Sequence, residues 1–146
     1  MSDIRLAKAE DVPRLRLIAR GAYAPYVPLI GSEPPPMLQD FAADIAAGRC
    51  WAAGDPALGY VVAYPREADW MLENVAVAPE AQGTGLGRAL VAHAEALAKA
   101  AGAPAMVLYT HAKMTNNRAL YPALGYRETG RATQHGLDRV FFRKVF

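Results

Sequence analysis

The chain has 146 residues, 53% of them hydrophobic, and a formal net charge of +2. That length predicts one domain, spanning residues 1–146, that buries roughly two thirds of its unfolded surface, and the hydrophobic share excludes a disordered chain. The basic residues are scattered, with Arg14, Arg16 and Arg20 alternating with apolar positions as on a solvated helix face, so no nucleic-acid partner is expected. The lone Cys50 has no partner for an internal disulfide and suits a reducing compartment. No signal-peptide pattern and no apolar run of about 18 residues occurs. A cytoplasmic protein without a membrane partner is the expectation.

Ile4 and Leu6 alternate with polar neighbours and predict a first strand. Glu10, Asp11 and Pro13 mark a helix start, and Val12, Leu15, Ile18, Ala19 and Ala22 give that helix one apolar face. Tyr23 to Pro28 breaks it, and Pro34-Pro35-Pro36 stiffens the connection to a second helix from about Met37 to Ala47. This long connection, rich in Tyr and Pro and containing Glu33, has two readings. It is a rigid connector whose tyrosines pack, or it is a wall of an acceptor-substrate pocket. Cys50 to Ala53 and Leu58 to Tyr64, joined by Gly54-Asp55-Pro56, predict a hairpin. Arg66 to Asp69 is the polar turn that follows.

Leu72 to Val77 is short and apolar, as in a strand buried on both faces, and Pro79 stops it. Gln82-Gly83-Thr84-Gly85-Leu86-Gly87 comes next, and from Leu86 the spacing turns helical, with Leu90, His93/Ala94 and Leu97 on one side. Gly102 is placed as the C-cap, with Pro104 beyond. Strand, glycine loop and helix together make an anion pocket. Glycines let the backbone approach a ligand closely, and the first helical turn offers unpaired N–H donors at the positive end of a dipole. A phosphate or pyrophosphate belongs there. A Rossmann loop does not fit, because Arg88 stands where the third glycine belongs and no acidic residue ends a strand roughly 20 residues later. The absence of Gly-Lys-Ser/Thr excludes a nucleotide P-loop.

Ala105 to Tyr109 reads as another buried strand, with Thr110, His111 and Lys113 at its far end. Thr115-Asn116-Asn117 offers N-cap chemistry for a helix from about Asn116 to Leu124, closed by Gly125-Tyr126. Tyr126 to Thr129 and Val140 to Val145 are the last predicted strands. Strands that first form a meander and then alternate with helices predict an α/β mixed sheet of about seven strands and about four helices.

Gln82-x-x-Gly85-x-Gly87, behind a Val-Ala-Val strand ending in Pro79, resembles the pyrophosphate-binding motif of the GNAT superfamily of N-acetyltransferases, which use acetyl-CoA. Asn117-Arg118-Ala119-Leu120-Tyr121-Pro122-Ala123-Leu124-Gly125-Tyr126 is similar to a second signature of that family, an Asn, then a Tyr, then a Leu-Gly-aromatic ending. Asn117 and Tyr121 are four residues apart and share a helix face. The resemblance is specific from Trp70 to Tyr126. It implies a GNAT-like, mostly antiparallel mixed sheet and acetyl-CoA as cosubstrate, with no metal. Val75, Ala76 and Val77 are then expected to bond the pantetheine amides through their backbone. Gln82, Gly83, Thr84, Gly85, Leu86, Gly87 and Arg88 are expected to hold the pyrophosphate, and Asn117 to contact the pantetheine arm.

Transfer of an acetyl group to a primary amine passes through a tetrahedral oxyanion and releases a CoA thiolate. A thiol pKa of roughly 8.5 against roughly 10 for a tyrosine lets Tyr121 hold and protonate the sulfur at neutral pH. Backbone N–H groups of the central strand polarise the carbonyl if that strand is splayed or bulged. An alkylamine must lose a proton before it attacks. Glu73 is the candidate base, directly or through a water, because an ionisable side chain in an apolar strand is costly without a role or partner. A salt-bridged or edge-exposed strand acid is the other reading of Glu73, and His111 is a rival base. Pro122 disfavours helical geometry at Tyr121 and predicts a kink there.

The acceptor is expected to be a primary amine of a small molecule or peptide, with Tyr23, Tyr26 and Glu33, and with them Asp40, suited to a small cationic or aromatic amine. A homodimer is a further expectation, with the apolar-basic final strand pairing across an interface. Two other classes are a non-catalytic acyl-CoA-binding sensor and a nucleotide-binding regulatory domain. The Asn117/Tyr121 pair argues against the first, and the glycine spacing against the second.

Overall fold

A computed structural model describes residues 3–146. In chain order its elements are β1 Ile4–Leu6, α1 Val12–Tyr23, the single-turn α2 Val27–Ile30, α3 Phe41–Ala46, β2 Cys50–Ala53, β3 Gly59–Arg66 and β4 Asp69–Val77. Then come α4 Leu86–Ala100, β5 Ala105–His111, α5 Thr115–Ala123, β6 Arg127–Gln134 and β7 Leu137–Val145. The strands form one seven-stranded sheet in the order β1-β2-β3-β4-β5-β7-β6. Only β4 and β5, linked through α4, are parallel, since a parallel neighbour needs a crossover and a hairpin makes an antiparallel one. This is the mixed, mostly antiparallel α/β sheet that the element pattern predicts.

The sheet is covered on both faces, which explains why β3 reads as an unbroken apolar run. Tyr60 and Val62 join Leu15, Ile18 and Phe41 on the α1 and α3 side. Val61 and Ala63 join Leu86, Leu90, Ala94 and Tyr121 on the α4 and α5 side. Gly59 sets how closely α4 approaches, because a Cβ there would lie 3.0 Å from Leu90 Cδ1 and 3.1 Å from the Ala76 carbonyl oxygen.

Several boundaries differ from the sequence expectation, each for a local reason. Tyr23 to Pro28 does not break α1 into a loop. A 3-10 turn over Ala24–Tyr26 and then α2 continue it, with Pro25 and Pro28 in first-turn positions, where a missing N–H costs nothing. The second predicted helix starts at Phe41 instead of Met37, because the Asp40 carboxylate accepts the Ala43 N–H at 3.1 Å and caps it. Strand β6 runs on to Gln134, where His135 and Gly136, both at positive φ (53° and 75°), form a tight hairpin turn into β7. The final strand cannot pair across an interface as expected. It lies between β5 and β6, and both its edges are used.

His93, on α4, stacks edge-on against Trp51 at 6.0 Å, and its buried Nε2 has no hydrogen-bond partner among the described residues. Burial lowers its pKa from the ordinary 6.5. As pH falls through that value the unfolded chain takes up the proton first, so stability falls with it. Denaturant unfolding between about pH 7 and pH 5 should show this decline, and His93→Phe should flatten it. Gly59→Ala should cost about 1–3 kcal/mol in the same assay, since the leucine tip can yield but the β4 carbonyl cannot.

Candidate active site

The site begins with one unpaired residue. Strand β3 pairs Val62 with Asn74 and Ala63 with Leu72, so Glu73 has no partner and β4 carries a bulge there. A bulge bends a strand and increases its twist. On its other side β4 pairs with β5 only at Trp70↔Met106 and Met71↔Val107. From Leu72 onward the two parallel strands part. The β4 edge that would face a strand faces a cleft instead.

Asn74 holds that opening. It is only 3% exposed, and a buried amide must find partners for its donors and its acceptor. Its Oδ1 accepts the Tyr60 hydroxyl at 2.9 Å and the Tyr23 hydroxyl at 3.0 Å, while Tyr23 also lies 3.1 Å from the Val75 carbonyl oxygen. Its Nδ2 donates to the Pro36 carbonyl at 3.0 Å and to Gln39 Oε1 at 3.2 Å. Gln39 Nε2 in turn donates to Asp44 Oδ2 at 2.7 Å and to Glu73 Oε2 at 3.0 Å, and Arg49 pairs with Asp44 at 2.8 Å. The proline-rich connection is thereby tied to the bulge.

Two clefts flank the opening. One is lined by Val75, Ala76, Val77, Gln82, Gly87 and Tyr26. The other is lined by the Pro34–Pro36 segment, Glu73, Tyr109, Thr110, His111 and Arg139. Tyr23, Val75, Asn117 and Tyr121 line both, so they mark the junction.

The glycine loop supplies the donors of the first cleft. Gly83 and Gly85 have φ of +77° and +87°, a region that L side chains rarely enter. The first intrahelical bond of α4 runs from Ala89 N–H to the Gly85 carbonyl at 3.0 Å, leaving the Leu86, Gly87 and Arg88 N–H groups without helical acceptors. An anion at that end meets three donors and the positive pole of a helix of 15 residues. The Leu86 side chain is buried, so its part is played by the backbone alone. Gln82 lies exposed on the cleft wall, the Thr84 hydroxyl donates to the Ala81 carbonyl, and the Arg88 side chain is exposed.

Four tyrosines are buried: Tyr23, Tyr60, Tyr121 and Tyr126. The hydroxyls of Tyr23 and Tyr60 end on Asn74, and that of Tyr126 on Glu95 Oε2 at 2.7 Å. Only Tyr121 has a hydroxyl with no protein partner among the described residues, and its oxygen is not sealed from the clefts. Tyr126 and Phe142 pack its ring at centroid distances of 5.7 and 6.1 Å and fix its aim. Burial raises its pKa well above the ordinary 10.0, so it carries its proton at neutral pH. Pro122 does not end the helix. It sits in the last turn of α5, and the Tyr121 carbonyl still accepts from Leu124 and Tyr126, each at 3.0 Å. Asn117, one turn earlier, donates weakly to Thr110 Oγ1 at 3.4 Å.

His111 lines the second cleft, but its Nδ1 accepts the Lys113 N–H at 3.0 Å and burial lowers its pKa. The neutral ring therefore carries its proton on Nε2, a donor and not a base. Of the expected acceptor wall, Tyr23 stands at the junction, Tyr26 lines the glycine-loop cleft, and Glu33 is exposed and lines neither. Asp40 is engaged as the α3 cap. Asn74, Gln39 and Arg139 are absent from the sequence expectation. A buried-strand Asn beside Glu73 was the one visible signal, since such an amide must be bonded somewhere. Asn74→Leu should leave the Tyr60 hydroxyl without a partner and Tyr23 with only the Val75 carbonyl, and cost about 2–4 kcal/mol, read as a fall in denaturation midpoint.

A family model described as the Acetyltransferase (GNAT) family matches residues 16–126. No curated protein matches the chain significantly by sequence. Among solved structures it is similar to the PaiA N-acetyltransferase of Thermoplasma acidophilum in complex with coenzyme A, at 19% identity and a TM-score of 0.83, over 100% of this chain and 99% of that one. It is similar to the ribosomal-protein-S18-alanine N-acetyltransferase of Escherichia coli at 21% identity and a TM-score of 0.78, over 99% and 94% of the chains. The IAA acetyltransferase of Bacillus cereus ATCC 14579 shares 21% identity and a TM-score of 0.73 over 100% of both chains. These likenesses carry the fold, and the match over 16–126 carries the family: the chain belongs to the GNAT acetyltransferases and is an acyltransferase.

Proposed function

We propose that the chain is an acetyl-CoA-dependent N-acetyltransferase acting on a primary amine at the junction of the two clefts, with Tyr121 as general acid and Glu73 as general base. The observation that carries this reading is the Tyr121 hydroxyl, the one buried tyrosine oxygen that no protein group engages among the described residues. The glycine-loop cleft fits acetyl-CoA. The unpaired N–H groups of Leu86, Gly87 and Arg88, the open backbone at Gly83 and Gly85, and Gln82 would hold a pyrophosphate. The free β4 edge from Val75 to Val77 and the Asn117 amide would hold an amide-bearing arm.

Acetyl-CoA, when bound, supplies an activated acetyl thioester whose sulfur needs a proton on departure. The chain supplies the rest. Tyr121 presents a protonated hydroxyl from a rigid aromatic mount, and the β4 backbone beyond the bulge offers N–H donors to a developing oxyanion. Glu73 stands on the acceptor side with one carboxylate oxygen held by Gln39, leaving the other for the amine or a bridging water. The direction of travel follows: amine from the Glu73 cleft, acetyl group from the glycine-loop cleft.

Tyr121→Phe should lower kcat about 10²–10⁴-fold while calorimetric affinity for acetyl-CoA is kept. Glu73→Gln should also lower kcat with little loss of stability, because the amide oxygen still accepts the Gln39 N–H. A phenylalanine variant that turns over normally would show that another group protonates the sulfur.

A further inference from the structure

Arg139 differs from most of the other part-buried arginines of this chain. Arg5, Arg14, Arg49 and Arg143 each rest on a carboxylate, Asp11, Glu80, Asp44 and Asp69, and Arg118 donates to the Ala112 carbonyl at 2.9 Å. Arg139 rests on none among the described residues. The β5–β7 register sets it opposite His111, and its guanidinium carbon lies over the Tyr109 ring, 4.3 Å from the centroid. One Nη1–H donates to the neutral Gln134 Oε1 at 3.0 Å, and the other donors have no protein acceptor among the described residues. The neighbouring Asp138 carboxylate accepts the Thr133 hydroxyl at 2.9 Å instead.

This half-buried cation lines the same cleft as Glu73, and the apolar Leu72 and Leu137 also line it. His111 adds no second positive charge at neutral pH, because burial lowers its pKa. The cleft therefore presents a carboxylate on the β4 wall and an unpaired guanidinium on the β7 wall. A partly desolvated cation without a counter-ion is costly, and a planar guanidinium matches a carboxylate in a two-point hydrogen bond.

We infer that the acetyl acceptor is a small amino acid, with its amine directed to Glu73 and the junction and its carboxylate held by Arg139. This rests on the acetyl-transfer reading above and names the substrate class for it. It also changes the sequence expectation of a cationic acceptor, which counted the acids of the connection and not the arginine from β7. The bond formed is N–C(acetyl) and the bond broken is C(acetyl)–S. The amine proton goes to Glu73, and the sulfur takes one from Tyr121.

The test is thiol release from acetyl-CoA with matched acceptors: free amino acids, their carboxamides, the corresponding decarboxylated amines, and short peptides. The acids should have kcat/KM at least about tenfold above their carboxamides and amines. Arg139→Gln should raise KM for the acids about 10- to 100-fold, and Arg139→Lys should restore part of it. Calorimetric affinity for acetyl-CoA, held in the other cleft, is the control for folding. Carboxamides, amines or peptides used as well as the acids would overturn the inference. So would a normal KM in Arg139→Gln, or no amino acid accepted while acetyl-CoA binds. If acetyl-CoA does not bind the wild-type protein, the acetyl-transfer reading itself fails.

Discussion

A single buried amide keeps the central sheet open. Asn74 uses both lone pairs and both N–H groups, and its partners come from α1, β3 and the proline-rich connection. Closing β4 onto β5 along its whole length would regain backbone hydrogen bonds, but it would draw Asn74 away from four partners in a region of low dielectric. Buried polar groups left unpaired cost more than a ladder bond returns. The bulge at Glu73 supplies the bend that accompanies the split between the strands.

The two clefts follow from that split and differ in chemistry because different elements line them. On one side lie the first turn of α4 and the free β4 edge, with their backbone N–H donors. On the other lie a carboxylate, an imidazole held neutral and a guanidinium stacked on an aromatic ring. Tyr121 stands where they meet, and the four buried tyrosines divide the work by their hydroxyls. Three lock the scaffold, two at Asn74 and one at the Glu95–Lys144 pair. The fourth is left to the site.

Burial governs the protonation states. Desolvation keeps Tyr121 protonated and His111 neutral at neutral pH, and the Lys113 N–H on Nδ1 puts the single imidazole proton on Nε2. The same burial at His93, away from the clefts, has only a cost in acid.

The sequence by itself determined the strand, glycine loop and helix from Leu72 to Ala100, the Asn117 and Tyr121 pair on one helix face, and the layered α/β class. Each is written in consecutive residues: an apolar run, positive-φ glycines before a 3.6-residue repeat, a four-residue spacing. The tertiary structure decided the rest. Asn74 finds its partners 51, 14, 38 and 35 residues away, and no local pattern specifies which amide meets which hydroxyl. The lost N–H of Pro122 is a local fact legible in the sequence, whereas the packing of the Tyr121 ring on Phe142 is not. Arg139, just ahead of the predicted last strand, read as one more scattered base. Only the pairing of β7 with β5, and the departure of β4 from β5, brings it into the cleft with Glu73. Register and strand order are long-range choices, made by burial over the whole sheet and not by any consecutive run of residues.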